Sequence, residues 1–506
     1  MAGTRGRWGW WAVATLALTG VACNDPLAPT DETHAPPVVI KPADTDSNQA
    51  SILAENRRAG DAGWKDKGRS IPSLLAMWAS PYAVSGGDTL DVYIHAVAET
   101  IDLQVYRLGW YGGVGGRLVD SQTGLHGGTQ PRCGEPWSGI VACPWRVTTR
   151  LVVPTDWVGG VYLLKARDGR GDIWSYPFVL RSGEAHRFTA VINQFTWQAY
   201  NKWGGASFYT FLQTSTRYTY PRISFDRPYL DQGGMTATGG PDEAGGSNDL
   251  PAVRWLEANG YDVGYASDMD LADSSADLPT PHALLFVGHD EYWTWNEFDR
   301  VQALRDAGTH LAFLSGDNAD WNIRVSAGTV TGRRAETLTC YKYQPDPDPP
   351  EPDETTTKFR DPPLDRPESE LVGEIYQHLL PGGASPPMEV PPDSLLGPHT
   401  RAFTLAAGLV PGDTIAIASG TEGDQFFPGA PFTPKGTEML LRAVYPVPDS
   451  TPLYFNSTFY VAPSGAGVWA TGTNKWAAYL DGDRDPANPK VQALTRAVLD
   501  WMGRHG

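Results

Sequence analysis

Hydrophobic and polar positions divide the chain into two textures. Over residues 68–181 short runs alternate apolar with polar residues, strictly so in DTLDVYIHAV, and DLQVYRL, WRVTTRLVV, GGVYLLKARD and IWSYPFVL follow with turn residues between them. Alternation with period two marks strands with one buried face, and several such strands at regular spacing predict an all-β sandwich. The GWYGGVGG stretch at 109–116 looks like a phosphate loop. It lies between strands and opens no helix, so it reads as a hairpin connection.

From residue 188 the pattern becomes strand, helix, strand. FTAVIN (188–193), 261–265, 284–287, HLAFL (310–314), TIAIAS (414–419) and GVWATG (467–472) read as strands. Helical spacing appears at 251–259, 295–308 and 491–502, and the Pro- and acid-rich stretch 343–367 reads as a surface loop. Such an order predicts a mixed or parallel sheet covered by helices. Within it, LLFVGHDEYW (284–293) has the form of a strand buried on both faces, closed by Gly288 and followed at once by His289, Asp290 and Glu291. In an extended chain His289 and Glu291 point one way and Asp290 the other. Ligands of parallel α/β sheets bind outside the carboxyl ends of the strands, where this trio stands. A plainer reading makes the trio a capping cluster at the start of the following helix.

Length and charge narrow the class. A chain of 506 residues predicts two or three domains, and a net charge of −18 argues against nucleic acid as a partner. Arg5 and Arg7 followed by an apolar run to Val21-Ala22-Cys23 have the anatomy of a lipoprotein signal peptide. The expected organisation is a signal segment at 1–23, a disordered tether at 24–66, a β-sandwich at 67–183 and an α/β domain at 184–506. The product is then exported and held on a bacterial membrane, periplasmic or cell-surface, by a lipid on Cys23. Cys133 and Cys143 flank a turn-rich segment and would pair in an exported protein, leaving Cys340 as a buried apolar thiol or, in a rival reading, a nucleophile.

The chemistry suggested by the residues is convergence. FTAVIN leads to Tyr200 and Tyr209, LLFV to His289 and Glu291, HLAFL to Asn318, and TIAIAS to Glu422. No GxSxG elbow, HExxH, GxxxxGK[ST] or zinc-ligand spacing is present. What remains is an oxygen-rich set suited to a hard cation. TWQAYN, GGASFY, WLEANGYDV, GHDEYW, FLSGDNADWNIRV, CYK, TTTKFRDPP, GTEGD and GVWATGTNKW together resemble the C-terminal domain of the N,N-dimethylformamidase large (beta) subunit.

That resemblance implies a class I glutamine-amidotransferase-like core behind an Ig-like sandwich. It also implies a mononuclear Fe(3+) held by Tyr200, Tyr209 and Glu291, with His289, Asn318, Lys342 and Glu422 as the catalytic shell. The implied activity is hydrolysis of the carbon–nitrogen bond of a small amide. AYN and SxY lie closer together here than in the formamidase, and nothing points to that enzyme's small partner subunit. The alternative is a non-catalytic surface lipoprotein that binds glycan or peptide.

Overall fold

In the computed structural model, which describes residues 45–505 apart from 213–217, 231–248, 274, 277, 380–385, 418–421, 447–451 and 483–485, strands outnumber helices in a mixed α/β arrangement of several sheets. The alternating sequence before residue 181 forms two of these sheets. One orders Leu75–Ser80, Thr89–Ala96 and Thr149–Val152; the other orders Ala83–Val84, Ile173–Leu180, Gly160–Asp168, Thr100–Leu108 and Gly116–His126. Ile101, Leu103 and Val105 are buried while Thr100 and Asp102 face water, as the alternation requires. GWYGGVGG is the hairpin connection, with Leu108 opposite Gly116. Cys133 and Cys143 form a disulfide, and Cys340 is free and buried.

The tether expectation fails for its second half, from Thr45 onwards. Thr45–Asn56 is a helix and Ala62–Lys65 a 3-10 turn. Ile52 and Trp64 are buried, the Glu55 carboxylate accepts from Arg117 Nε and Tyr111 Oη at 2.7 Å, and Lys165 Nζ donates to the Trp64 and Asp66 carbonyls at 2.6 and 2.7 Å. The segment's apolar residues are few, but Ile52 and Trp64 pack into the core formed by residues far along the chain. A local composition reading cannot see that. The signal segment, Cys23 and residues 24–44 lie outside the described residues. No helix among the described residues is long and apolar enough to cross a membrane.

A nine-stranded sheet organises the rest, in the order Val263–Ser267, Phe188–Ile192, Ala283–Val287, His310–Leu314, Gly467–Ala470, Leu453–Val461, Glu438–Tyr445, Met388–Glu389, Thr414–Ile415. The first five are parallel and the remainder antiparallel. Ala283–Val287 and His310–Leu314 are buried throughout, which explains their unbroken apolar runs. Among the described residues no strand of this sheet pairs with those before residue 181. The two parts nevertheless share one core. Arg107 and Glu257 pair across them at 2.6 Å, both fully buried, and Glu257 also accepts from Tyr265 Oη at 2.7 Å. A buried ion pair is tolerated when its remaining polar atoms are hydrogen-bonded in this way.

Two further expectations change. Among the described residues of TIAIAS, Thr414–Ile415 form a strand at the sheet edge rather than beside the parallel strands. Glu422 stands instead on the strand Glu422–Gln425, paired with Ile375–Leu379 in a separate two-stranded ribbon. The 343–367 stretch is not merely a surface loop: Phe359 is fully buried against Phe298, and Lys358 and Arg360 both pair with the buried Asp320. Its prolines and acids conceal three residues that anchor it.

Candidate metal centre

The carboxyl ends of the parallel strands deliver the site. After Phe188–Ile192 comes the helix Gln194–Tyr200, whose last residue is Tyr200. After Ala283–Val287, Gly288 adopts φ 80°, and a Cβ there would stand 2.8 Å from Asp249 Oδ1. Only glycine allows that turn. It lets His289, Asp290 and Glu291 cross the strand ends before Tyr292–Thr294 begins another small sheet. Thr196 Oγ1 accepts from the Glu291 backbone N at 3.0 Å and so ties this crossing to the tyrosine helix.

Three acidic oxygens meet there. Tyr200 Oη donates to Glu291 Oε2 at 2.8 Å, and Tyr209 Oη lies 2.6 Å from both oxygens of the same carboxylate. The two phenol rings stack at 4.1 Å. His289 Nε2 lies 3.2 Å from Tyr200 Oη, 3.3 Å from Glu291 Oε2 and 2.9 Å from Glu422 Oε2. Glu422 also accepts from Asn474 Nδ2 at 2.8 Å. Lys342 Nζ donates to Tyr292 Oη at 2.7 Å, Tyr292 Oη donates to Tyr209 Oη at 2.9 Å, and the ammonium sits 3.9 Å from the centre of the Tyr209 ring. Asn318 is buried, and among the described residues neither atom of its amide has a partner. Asp317 beside it joins two clusters whose candidate ligand atoms lie within 4.8 Å of one another: His289, Asp317 and Glu422, and Glu291, Asp317 and Asp320.

The electrostatics follow from burial and neighbours. Burial, then the Glu291 charge, holds the Tyr200 and Tyr209 hydroxyls well above the usual phenol range. Burial alone would raise Glu291, but Lys342 and His289 bring it down to about 2. Burial would lower His289; Glu422 and Glu291 outweigh that and keep it well above the usual imidazole range. The strain is local too: Asp317, Ala319 and Lys342 are among the few non-glycine residues with left-handed φ, at 57°, 52° and 52°. Strained backbone of this kind gathers at functional sites.

A donor set of two phenols and one carboxylate is oxygen-only, and such sets suit hard cations. Ligands sharing one small cation at roughly 2 Å lie about 3 Å apart, close to the spacing seen here. The unpartnered atoms of Asn318, Asp317 Oδ1 and His289 Nδ1 are also the orphaned buried groups expected where a ligand completes a site. The residues present therefore fit a small hard cation, the class to which the ferric ion implied by the resemblance belongs.

The family model for N,N-dimethylformamidase beta subunit-like, C-terminal proteins matches residues 102–490. The chain belongs to this family. The match begins within Thr100–Leu108, well before the strand Phe188–Ile192, so the matched range spans much of the second early sheet as well as the site. Membership associates the chain with dimethylformamidase-like hydrolases at that coarse level. No curated protein matches the chain.

All seven residues singled out from the sequence fall in this region. Tyr200, Tyr209, Glu291, His289 and Glu422 form one connected hydrogen-bonded group, and Lys342 joins it through Tyr292. Sequence reasoning missed Tyr292, Asn474 and Asp317. Strict alternation points Tyr292 away from Glu291, and only the bend after Gly288 turns it back towards Tyr209. Asn474 lies in the quoted GVWATGTNKW and Asp317 in SGDN, but nothing in either motif distinguishes a ligand-facing residue from a turn former. Cys340 is fully buried, and burial pushes its thiol up to about 12, opposite to what a nucleophile needs.

Proposed function

We propose that this protein is an exported, lipid-anchored amidohydrolase that cleaves carbon–nitrogen bonds of small non-peptide amides with one ferric ion held by Tyr200, Tyr209 and Glu291. The observation that carries the reading is the meeting of two phenol oxygens, from partly buried tyrosines, on a single buried carboxylate. Three acidic oxygens so placed repel one another once ionised, and a cation relieves that repulsion. The five parallel strands with a site at their carboxyl ends support a class I glutamine-amidotransferase-like core, and the two early sheets support an Ig-like sandwich before it.

When bound, the iron would supply Lewis-acid polarisation of the amide carbonyl and a lowered water pKa. The chain's own residues supply the rest. Glu422, with its side chain 14 % exposed, is placed to take the proton from the attacking water. His289, held protonated 2.9 Å from Glu422, is placed to give its own proton to the leaving amine and to be reprotonated from Glu422. Asn318 has an amide N–H without a partner among the described residues, able to hold the developing oxyanion. Lys342 is engaged by Tyr292 and offsets the charge of the tyrosine–carboxylate group. Burial of His289 and Glu291 limits the access of bulk water to this group.

Purified protein loaded with iron should release dimethylamine and formate from N,N-dimethylformamide, or the corresponding products from a related small amide. Removal of iron by a chelator should stop it. An iron-loaded protein inert towards a panel of such amides would leave the glycan- or peptide-binding alternative. Anchoring is checked separately: a bacterial host fed a fatty-acid probe should label the wild type, and Cys23→Ser should abolish labelling. An unlabelled wild type would remove the lipid anchor.

A further inference from the structure

Tyr200 and Tyr209 are joined by the short excursion 201–208, whose centre is the 3-10 turn Trp203–Gly205. Its conformation is fixed from behind. The Arg227 guanidinium, fully buried, donates from Nη1 to the Trp203 carbonyl at 2.9 Å and the Ala206 carbonyl at 2.8 Å, and from Nη2 to the Asn201 carbonyl at 2.9 Å. Among the described residues no carboxylate pairs with it, and its Nε has no partner. Burial unrelieved by a counter-charge brings even this guanidinium down to about 9.

Burying an unpaired cation is costly, and most proteins avoid it. Here the whole cost serves three carbonyls of one turn. The first belongs to the residue after Tyr200, and the last lies three residues before Tyr209. The ends of the arginine are held as well. Asn201 Oδ1 accepts from Trp203 N at 3.1 Å and Leu230 N at 3.0 Å, bracketing Arg227 in sequence. The neighbouring Asp226 carbonyl accepts from Cys143 N at 2.7 Å, so the disulfide loop backs the same unit. That loop also presses on the turn: Gly204 has φ 68°, and a Cβ there would stand 2.5 Å from Val141 Cγ1.

We propose that Arg227 is the positioning residue that sets the spacing of the Tyr200 and Tyr209 hydroxyls around Glu291, and that it thereby governs affinity for the ferric ion. The inference rests on the iron reading above. It explains how tyrosines on so short a connection, without a longer loop between them, stack and converge. A planar fork reaches three carbonyls at once; a lysine ammonium in its place reaches fewer.

The test measures iron affinity of the full chain by chelator competition, the visible ferric–phenolate band, and thermal melting of the metal-free protein. Arg227→Met should bind iron at least about tenfold more weakly, within the range typical of groups that orient metal ligands, and should shift the band. Arg227→Lys should recover part of both while melting as the wild type does. An Arg227→Met protein with wild-type affinity and an unshifted band overturns the inference. Failure of both variants to fold without metal also overturns it, by assigning Arg227 to the fold rather than to the tyrosines. A wild type that lacks the band removes the iron reading and this inference together, whereas a wild-type band indifferent to Arg227→Met removes the inference alone.

Discussion

Glu291→Gln should empty the metal centre and abolish hydrolysis while the protein stays folded. Glu291 accepts from both tyrosines and is the one carboxylate they share, so it sets where the ion's oxygen ligands meet. Glutamine keeps the shape and loses the charge. One of its two terminal groups becomes a donor aimed at hydroxyls that are already donating. Groups that merely orient metal ligands are worth about 10–100-fold in affinity, so loss of a charged ligand should exceed ~100-fold. Tyr209→Phe removes one phenol but leaves Tyr200 and the carboxylate; it should weaken the visible band and the affinity by a smaller factor. Metal analysis of the two variants beside the wild type checks this ordering. A Glu291→Gln protein that retains full iron would remove Glu291 from the ligand set.

The second large effect is expected at Glu422. Glu422→Gln cannot take a proton, yet it keeps the size that fits between His289 and Asn474. The expected loss is ~10²–10⁴ in kcat, the usual worth of a positioned general base, with KM and iron content little changed. His289→Gln should lose a comparable factor, because it breaks the contact that carries the proton onward. Since the two groups act as a unit, the double variant should be scarcely slower than either single one. Stopped assays on metal-verified protein measure this. Wild-type kcat in Glu422→Gln would move the proton-transfer role elsewhere, with Asp317 the nearest candidate in the same cluster.

What could be read from the sequence follows the range of the forces involved. The strand Ala283–Val287, the turn at Gly288 and the helix Trp295–Asp306 depend on local period and on glycine, and they stand where the pattern put them. Tyr200, Tyr209 and Glu291 were legible because each lies in a connection that follows a strand of one parallel sheet, where switch-point geometry gathers side chains. Glu422 was found for the wrong structural reason: the apolar run before it ends at the sheet edge, and a two-stranded ribbon carries the residue in. Tyr292 and Arg227 were not legible. Each works through contacts set by a bend or by a partner distant in the chain, to which periodicity is blind. Likewise, Trp64 and Ile52 order a segment whose composition resembles a linker, because their pockets are built by residues far downstream.

The central claim is the iron held by Tyr200, Tyr209 and Glu291. Its most direct test is the metal content and visible spectrum of the purified, iron-loaded protein, recorded beside Tyr200→Phe and Tyr209→Phe. The account predicts a single iron per chain and a ferric–phenolate charge-transfer band that each substitution weakens. Protein that binds no iron, or an iron spectrum indifferent to both tyrosines, would contradict it.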